Sequence, residues 1–200
     1  MFVNSSWLFF DIVFSLLGIL ILSPIFLVVA FLIVIDNPGP IFYRQQRVGK
    51  YGKDFGLLKF RSMRVGADKL SLITIGERDP RVTRAGYYIR KYKLDELPQL
   101  LNVLCGDMSL VGPRPEVRRY VNVYSEEQRK VLSVRPGITD YASIEYIDEN
   151  RLLAQSNNPD KTYIEEIIPA KIALNMRYIN NQTLREYFKI IFLTFIKIIH

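Results

Sequence analysis

From Ile12 to Ile35 no position carries a formal charge and nearly all are apolar; Asp11 and Asp36 close the run. As a straight helix it reaches about 36 Å, against a bilayer hydrocarbon core of roughly 30 Å. It is too long for a signal-peptide core and lacks a cleavage site. Ser23-Pro24 sits at its middle. Pro24 has no N–H and clashes with the carbonyl of Leu20, and Ser23 can bond to a carbonyl one turn back. The break leaves halves of about 18 Å, roughly one leaflet each. Two arrangements fit: a kinked span, and a re-entrant helix that enters and leaves on one face.

Asp36-Asn37-Pro38-Gly39-Pro40 breaks the pattern and sets the boundary between an anchor, 1–38, and a domain, 39–200. Ile41–Val48 and Phe55–Phe60 then read as strands of a hairpin, with Gly49-Lys50-Tyr51-Gly52 as the turn. The pattern predicts helices over Met63–Leu72, Ala85–Tyr92, Asp95 to near Gly106, and Thr162–Asn180, with a loop at Asp79–Arg84. Tyr187–Ile199 is apolar but carries Lys189 and Lys197. It suits either an interfacial helix with snorkelling lysines or a core helix. The expected class is α/β, mostly α: a membrane hairpin plus a compact helical domain with a small β-hairpin.

The 200 residues carry a net charge of +7, which favours anionic partners without choosing among them. The hairpin bears Arg44, Arg47, Lys50, Lys53, Lys59 and Arg61: a solvated basic face, or one that meets anionic headgroups and a lipid acceptor. These charges follow the apolar run, and no side-chain positive charge precedes it. The positive-inside rule therefore puts the domain in the cytoplasm. Cys105 has no partner for a disulfide and reads as a small core residue. The one histidine, His200, is terminal, so no Ser–His or Cys–His nucleophile lies within the domain. There is no Cys/His zinc spacing, no Walker loop and no GxGxxG turn. A membrane explains the basic and aromatic residues better than nucleic acid does.

The candidate chemistry lies in Lys93-Leu94-Asp95-Glu96-Leu97-Pro98-Gln99. By position Asp95 fits a helix N-cap, with Pro98 tolerated in the first turn. Phosphate chemistry is the competing reading. A carboxylate can attack phosphorus, and Glu96 offers a hard oxygen to Mg²⁺ shared with a diphosphate. Arg90 and Arg114 can each grip phosphate with a planar fork, Arg114 held in the stiff Gly112-Pro113-Arg114-Pro115.

Together these segments resemble the bacterial sugar transferases, the small monotopic phosphoglycosyl transferases. The likeness runs from about Trp7 to Lys197. It rests on Arg47-Val48-Gly49, Lys59–Met63, Asp79–Thr83, Leu94–Gln99, Asn102–Leu104, Gly106–Ser109, Gly112–Glu116 and Arg135–Thr139. The resemblance implies transfer of a phosphosugar from a UDP-sugar to a polyprenyl phosphate, releasing UMP. It implies Asp95 as nucleophile, Glu96 as the Mg²⁺ ligand, and Arg90 and Arg114 on phosphate. Arg135 suits either nucleotide or a structural ion pair. Ser23-Pro24 matches the break of a re-entrant helix. After Thr139 the chain departs from the commoner pattern, with Asp140–Glu145 in place of Gly and an Asn-Gly-Arg segment, which leaves the donor sugar open. The implied setting is the cytoplasmic face of the bacterial inner membrane, with downstream glycosyltransferases as further partners. The rivals are a noncatalytic scaffold for anionic lipid and a Mg²⁺-dependent membrane phosphohydrolase. Oligomeric state is not legible.

Overall fold

The computed structural model describes residues 5–67 and 79–199. It is mostly helical, with two small two-stranded sheets. α1 (Ser5–Asp36) runs through Ser23-Pro24 as one helical element. Pro24 has no N–H for the Leu20 carbonyl, and Ser23 fills the gap: its hydroxyl donates to that oxygen at 2.8 Å.

Both halves of α1 lie against the same domain. Near its start, Asp11 is 2% exposed and accepts from the Leu110 amide (2.9 Å) and the Tyr187 hydroxyl (2.7 Å). Gly18 lies beside Leu100. Near the end, Val29 and Ile33 pack with Phe60 and Ile89. The outward side of α1, including Leu20, Ile21, Leu27 and Phe31, is bare.

β1 (Phe42–Val48) and β2 (Asp54–Phe60) pair antiparallel, Phe42 opposite Phe60 and Val48 opposite Asp54. Three of the hairpin's basic residues are engaged inside the protein, Lys59 with Glu96 among them. Arg47 donates to the Pro115 carbonyl (3.1 Å) and to Glu116 (3.2 Å). Arg61 is buried and donates to the carbonyl of Asn37, just past α1, where helix carbonyls lack partners. The helix expected from Met63 is not formed over 63–67. Met63 pairs with Val82 in a β-bridge, and Gly66 takes a left-handed turn (φ 83°) that ends any helix; 68–72 lie outside the described residues.

α2 (Arg84–Lys91) starts at Thr83, whose hydroxyl accepts from Gly86. α3 (Gln99–Leu104) leads to β3 (Ser109–Val111), which runs parallel to β4 (Gly137–Thr139). Cys105, expected in the core, is exposed, because α3 ends there and Gly106 turns the chain away with φ 83°. Between the strands lie α4 (Arg118–Val121) and α5 (Glu126–Arg129). Then come α6 (Tyr141–Glu145), α7 (Glu149–Ala154), α8 (Pro159–Thr162) and α9 (Ile168–Asn180). The amphipathic helix expected from Thr162 to Asn180 is present, with a π turn at Tyr163–Ile167. Pro169 cannot donate to the Glu165 carbonyl, and the Ile168 amide reaches back five residues to Tyr163. α9 packs with α4 and α7 around Tyr120, Leu153, Ile168 and Ile172.

α10 (Leu184–Ile199) is a core helix along one face, and its other face is bare. Tyr187 and Ile190 are fully buried with Val111 and Tyr178, and Trp7 and Phe10 of α1 cover them. Phe192 and Phe195 point outward, 64% and 62% exposed.

Candidate active site

Three segments meet around the acid pair. The first is β2, which carries Lys59. Asn102 of α3 fixes it: the side chain accepts from the Leu58 amide (2.8 Å) and donates to the Gly56 carbonyl (2.9 Å). Asn102 is 3% exposed, so both ends of its amide are satisfied inside the protein.

The second is the turn before α3. Lys93 is left-handed (φ 56°, ψ 19°), and Leu94–Glu96 form a 3₁₀ turn. Asp95 is therefore not the N-cap of a helix from 95 to 106. Pro98 has no amide to close an α-turn onto the Leu94 carbonyl, and the Leu97 amide takes that oxygen instead at 3.2 Å. α3 begins only at Gln99, with Pro98 before it.

The third segment carries Arg114. Gly112 and Gly137 approach so closely that a Cβ on Gly137 would lie 2.1 Å from the Gly112 nitrogen. Their amides bond across, Gly112 to Thr139 and Gly137 to Pro113, each at 3.0 Å. Asp140, fully buried, accepts from the Arg114 amide at 2.9 Å and caps α6 through Ser143. The Arg114 backbone is thus held on both sides, and its guanidinium donates to Glu96 Oε1. Lys59 Nζ lies 3.5 Å from the same oxygen.

The two carboxylates titrate in opposite directions. Burial disfavours the Glu96 anion, but Arg114 and Lys59 outweigh it and hold the carboxyl well below the usual range. Burial pushes Asp95 up; Lys59 opposes this and the Glu96 charge reinforces it. Arg114 is raised, chiefly by Glu96, and stays charged. Burial lowers Lys59, against the pull of Glu96. Among the described residues the Asp95 carboxylate makes no hydrogen bond or ion pair, so its oxygens are available to a substrate.

The expected residues fall into two groups. Asp95, Glu96, Lys59 and Arg114 come together, and Arg90, at the end of α2, adds its charge to the field at Asp95. Arg61 does not join them, being committed to the end of α1. Arg135 is half-buried beside Gly112, with no ion pair among the described residues. Sequence reasoning missed Asn102 and Asp140 as positioning residues. Asp140 carries a readable signal, an aspartate three residues before a backbone amide it can cap.

Among the described residues no group of three His, Cys, Asp or Glu side chains clusters as a metal cage. Mg²⁺ rarely needs one: one or two carboxylates plus substrate phosphates and water suffice. The free Asp95 carboxylate and Glu96, engaged through one oxygen, fit that donor set.

The family model described as bacterial sugar transferase matches residues 5–200. An Escherichia coli (strain K12) protein named UDP-glucose:undecaprenyl-phosphate glucose-1-phosphate transferase is 34% identical over 194 residues, 94% of this chain and 39% of its own. An Aeromonas hydrophila protein named UDP-N-acetylgalactosamine-undecaprenyl-phosphate N-acetylgalactosaminephosphotransferase is 44% identical over 137 residues, 67% of this chain and 32% of its own. The exopolysaccharide production protein PSS of Rhizobium leguminosarum bv. phaseoli is 38% identical over 190 residues, 92% of this chain and 90% of its own. The chain thus spans a third to two fifths of the first two relatives and most of the third.

Proposed function

Because the chain belongs to the bacterial sugar transferase family, we propose that it moves a sugar-1-phosphate from a UDP-sugar to a polyprenyl phosphate. The observation that carries this reading is the split acid pair, one carboxylate paired with Arg114 and Lys59 and its neighbour unpaired among the described residues.

Asp95 attacks the sugar-bearing phosphorus of the donor. The bond from that phosphorus to the bridging oxygen breaks, UMP leaves with the electron pair, and an aspartyl-phosphosugar forms. A phosphate oxygen of the acceptor then attacks the same phosphorus. The acyl-phosphate bond breaks, giving the polyprenyl-diphosphate sugar and restoring the carboxylate. Arg114 and Arg90 offset the negative charge that builds on the phosphoryl oxygens. Lys59 keeps Asp95 more ionised than burial alone would allow. Glu96, with Asp95, would hold Mg²⁺, which when bound neutralises diphosphate charge. The product is a substrate for glycosyltransferases that extend the glycan.

The setting proposed is monotopic, on the cytoplasmic face of the bacterial inner membrane. Two features support it. A helix of 32 residues is about 48 Å long, yet Asp11 near one end and Ile33 near the other both pack on the one domain. The bare sides of α1 and α10 supply apolar surface for one leaflet.

The test is UMP release from a panel of UDP-sugars, with and without polyprenyl phosphate, using membrane-reconstituted protein. Acceptor-dependent UMP release and a lipid-linked sugar are expected. Sugar phosphate set free into water without acceptor would mark a phosphohydrolase, and no release from any donor would leave a lipid-binding scaffold.

A further inference from the structure

Arg114 reaches Glu96 from a loop whose C-terminal side is anchored on other elements. The anchor is Glu116. One of its carboxylate oxygens accepts from the Val117 amide at 2.8 Å and from Arg47 at 3.2 Å. The other accepts from the Tyr163 hydroxyl, and among the described residues neither that oxygen nor that hydroxyl has another partner. The Glu116 carbonyl takes the Val48 amide at 2.8 Å, which fixes the backbone to the end of β1. Pro115, between Arg114 and Glu116, is held as well, since Arg47 donates to its carbonyl at 3.1 Å. Gln45 accepts from Arg47 at 2.9 and 3.2 Å and aims that guanidinium.

Tyr163 opens the π turn before α9, 47 residues along the chain from Glu116. It is buried, its ring edge-on to Tyr120 with centroids 4.8 Å apart. Lys171 Nζ lies 5.5 Å from the ring centroid and pairs with Glu149 at 2.7 Å. The ring is therefore packed whether or not it carries a hydroxyl. Burial, reinforced by the Glu116 charge, pushes the phenol far above its usual range, so it keeps its proton and donates. A π turn is a local departure from the α-helix that recurs at functional sites, and this one carries the hydroxyl that reaches the Arg114 loop.

We propose that Tyr163 and Glu116 are positioning residues for Arg114. Neither bonds to the acid pair. They steady the Pro115 side of the loop, as Asp140 steadies the Arg114 amide, and so set where the guanidinium meets the phosphoryl oxygens. The proposal rests on the transfer reading above. The competing reading is a fold anchor without effect on the reaction. What favours positioning is placement. Tyr163 is the one donor to its Glu116 oxygen, and the loop that Glu116 steadies carries a group for which a misplacement of about 1 Å can cost about a hundredfold in rate.

Tyr163→Phe removes one hydroxyl and keeps the packed ring. Tyr120→Phe is the control, because its hydroxyl donates to Asp160 of α8 at 2.7 Å and not to the loop. UMP release is measured in detergent for both, and for Tyr163→Phe in an Arg114→Lys background. In Y163F kcat is expected to fall roughly tenfold with the donor KM within about twofold of wild type, and in Y120F kcat is expected to hold within about twofold. Arg114→Lys has no planar fork to aim, so adding Y163F there is expected to cost less than about twofold. A thermal midpoint that drops in Y163F while kcat holds marks a fold anchor and overturns the proposal. So does an equal loss of kcat in both backgrounds, which would mean that Tyr163 acts on something other than Arg114. If the wild-type protein releases no UMP, the transfer reading fails separately, and hydrogen exchange at the Arg114 amide decides the positioning. Faster exchange in Y163F than in wild type and Y120F supports it, and unchanged exchange overturns it.

Discussion

Asp95 and Glu96 are neighbours in one 3₁₀ turn, yet their carboxyls titrate in opposite directions. Glu96 receives Arg114 and Lys59 on one oxygen and is held ionised, while Asp95 is half-buried without a partner among the described residues and is raised. A raised carboxylate is the more basic of the two, and its oxygens are free. That division suits one group to attack and the other to hold charge in place.

Asp95→Asn keeps the shape of the turn and removes the proposed nucleophile. Turnover is expected to fall by at least about a thousandfold. Folding and membrane retention are expected to be unchanged, because the Asp95 carboxylate makes no hydrogen bond or ion pair among the described residues. UMP release and flotation with vesicles read the two separately; near-normal turnover would sink the assignment.

The pH profile tests the electrostatics. Asp95 must be ionised to attack, and its pKa is raised, so activity should fall with decreasing pH sooner than it would for an ordinary aspartate. Lys59→Met removes a charge that favours the anion, so the acid limb of kcat/KM should move to higher pH. Glu96→Gln removes a like charge, so the limb should move to lower pH even as overall activity drops with weaker Mg²⁺ dependence. Limbs moving the same way in both variants would contradict this arrangement.

The sequence and the site agree where chemistry depends on residue identity. The acid pair, Arg90, Arg114 and the hairpin strands were readable because carboxylates, guanidiniums and period-two patterns announce themselves locally. The geometry around them was not. Lys93 adopts a left-handed conformation that nothing in a lysine signals, and it puts Asp95 in a 3₁₀ turn rather than at a cap. Arg61 looked like a headgroup ligand because its charge is visible and its burial against Asn37 is not. Asn102 and Asp140 bond to backbone groups 44 and 26 residues away in the chain, a relation that spacing cannot reveal. The Ser23 bond to Leu20 was foreseeable because it is local.

Arg114→Ala leaves Glu96 half-buried with Lys59 alone. We expect a loss of about 1–3 kcal/mol in stability and a larger loss in turnover, since the guanidinium serves both. The sign with pH follows from Glu96. Its folded pKa is depressed, so the pair stabilises above the ordinary carboxylate range, and that stability is lost as pH falls through the depressed value. Without Arg114 the depression shrinks, and acid unfolding should begin at higher pH. Thermal unfolding in detergent across an acid series measures this.

Asp11 offers a test of how α1 is held. Its carboxylate accepts from Leu110 and Tyr187, 99 and 176 residues away. It thereby ties the first half of α1 to β3 and α10. Tyr187→Phe removes one bond and should cost about 1 kcal/mol; Asp11→Ala leaves both donors unsatisfied and should cost more. If α1 lies against the domain on one face of the bilayer, loosening this tie should also raise the accessibility of its N-terminal end on the domain's own side. A cysteine at Ser5 in a Cys105→Ser background reports it, Cys105 being exposed and reactive to the same reagent. Labelling from the domain side in wild-type Asp11, and faster labelling from that side in Asp11→Ala, are the expected results. Labelling only from the opposite side would mean that α1 crosses the membrane and that its contacts with the domain do not survive insertion.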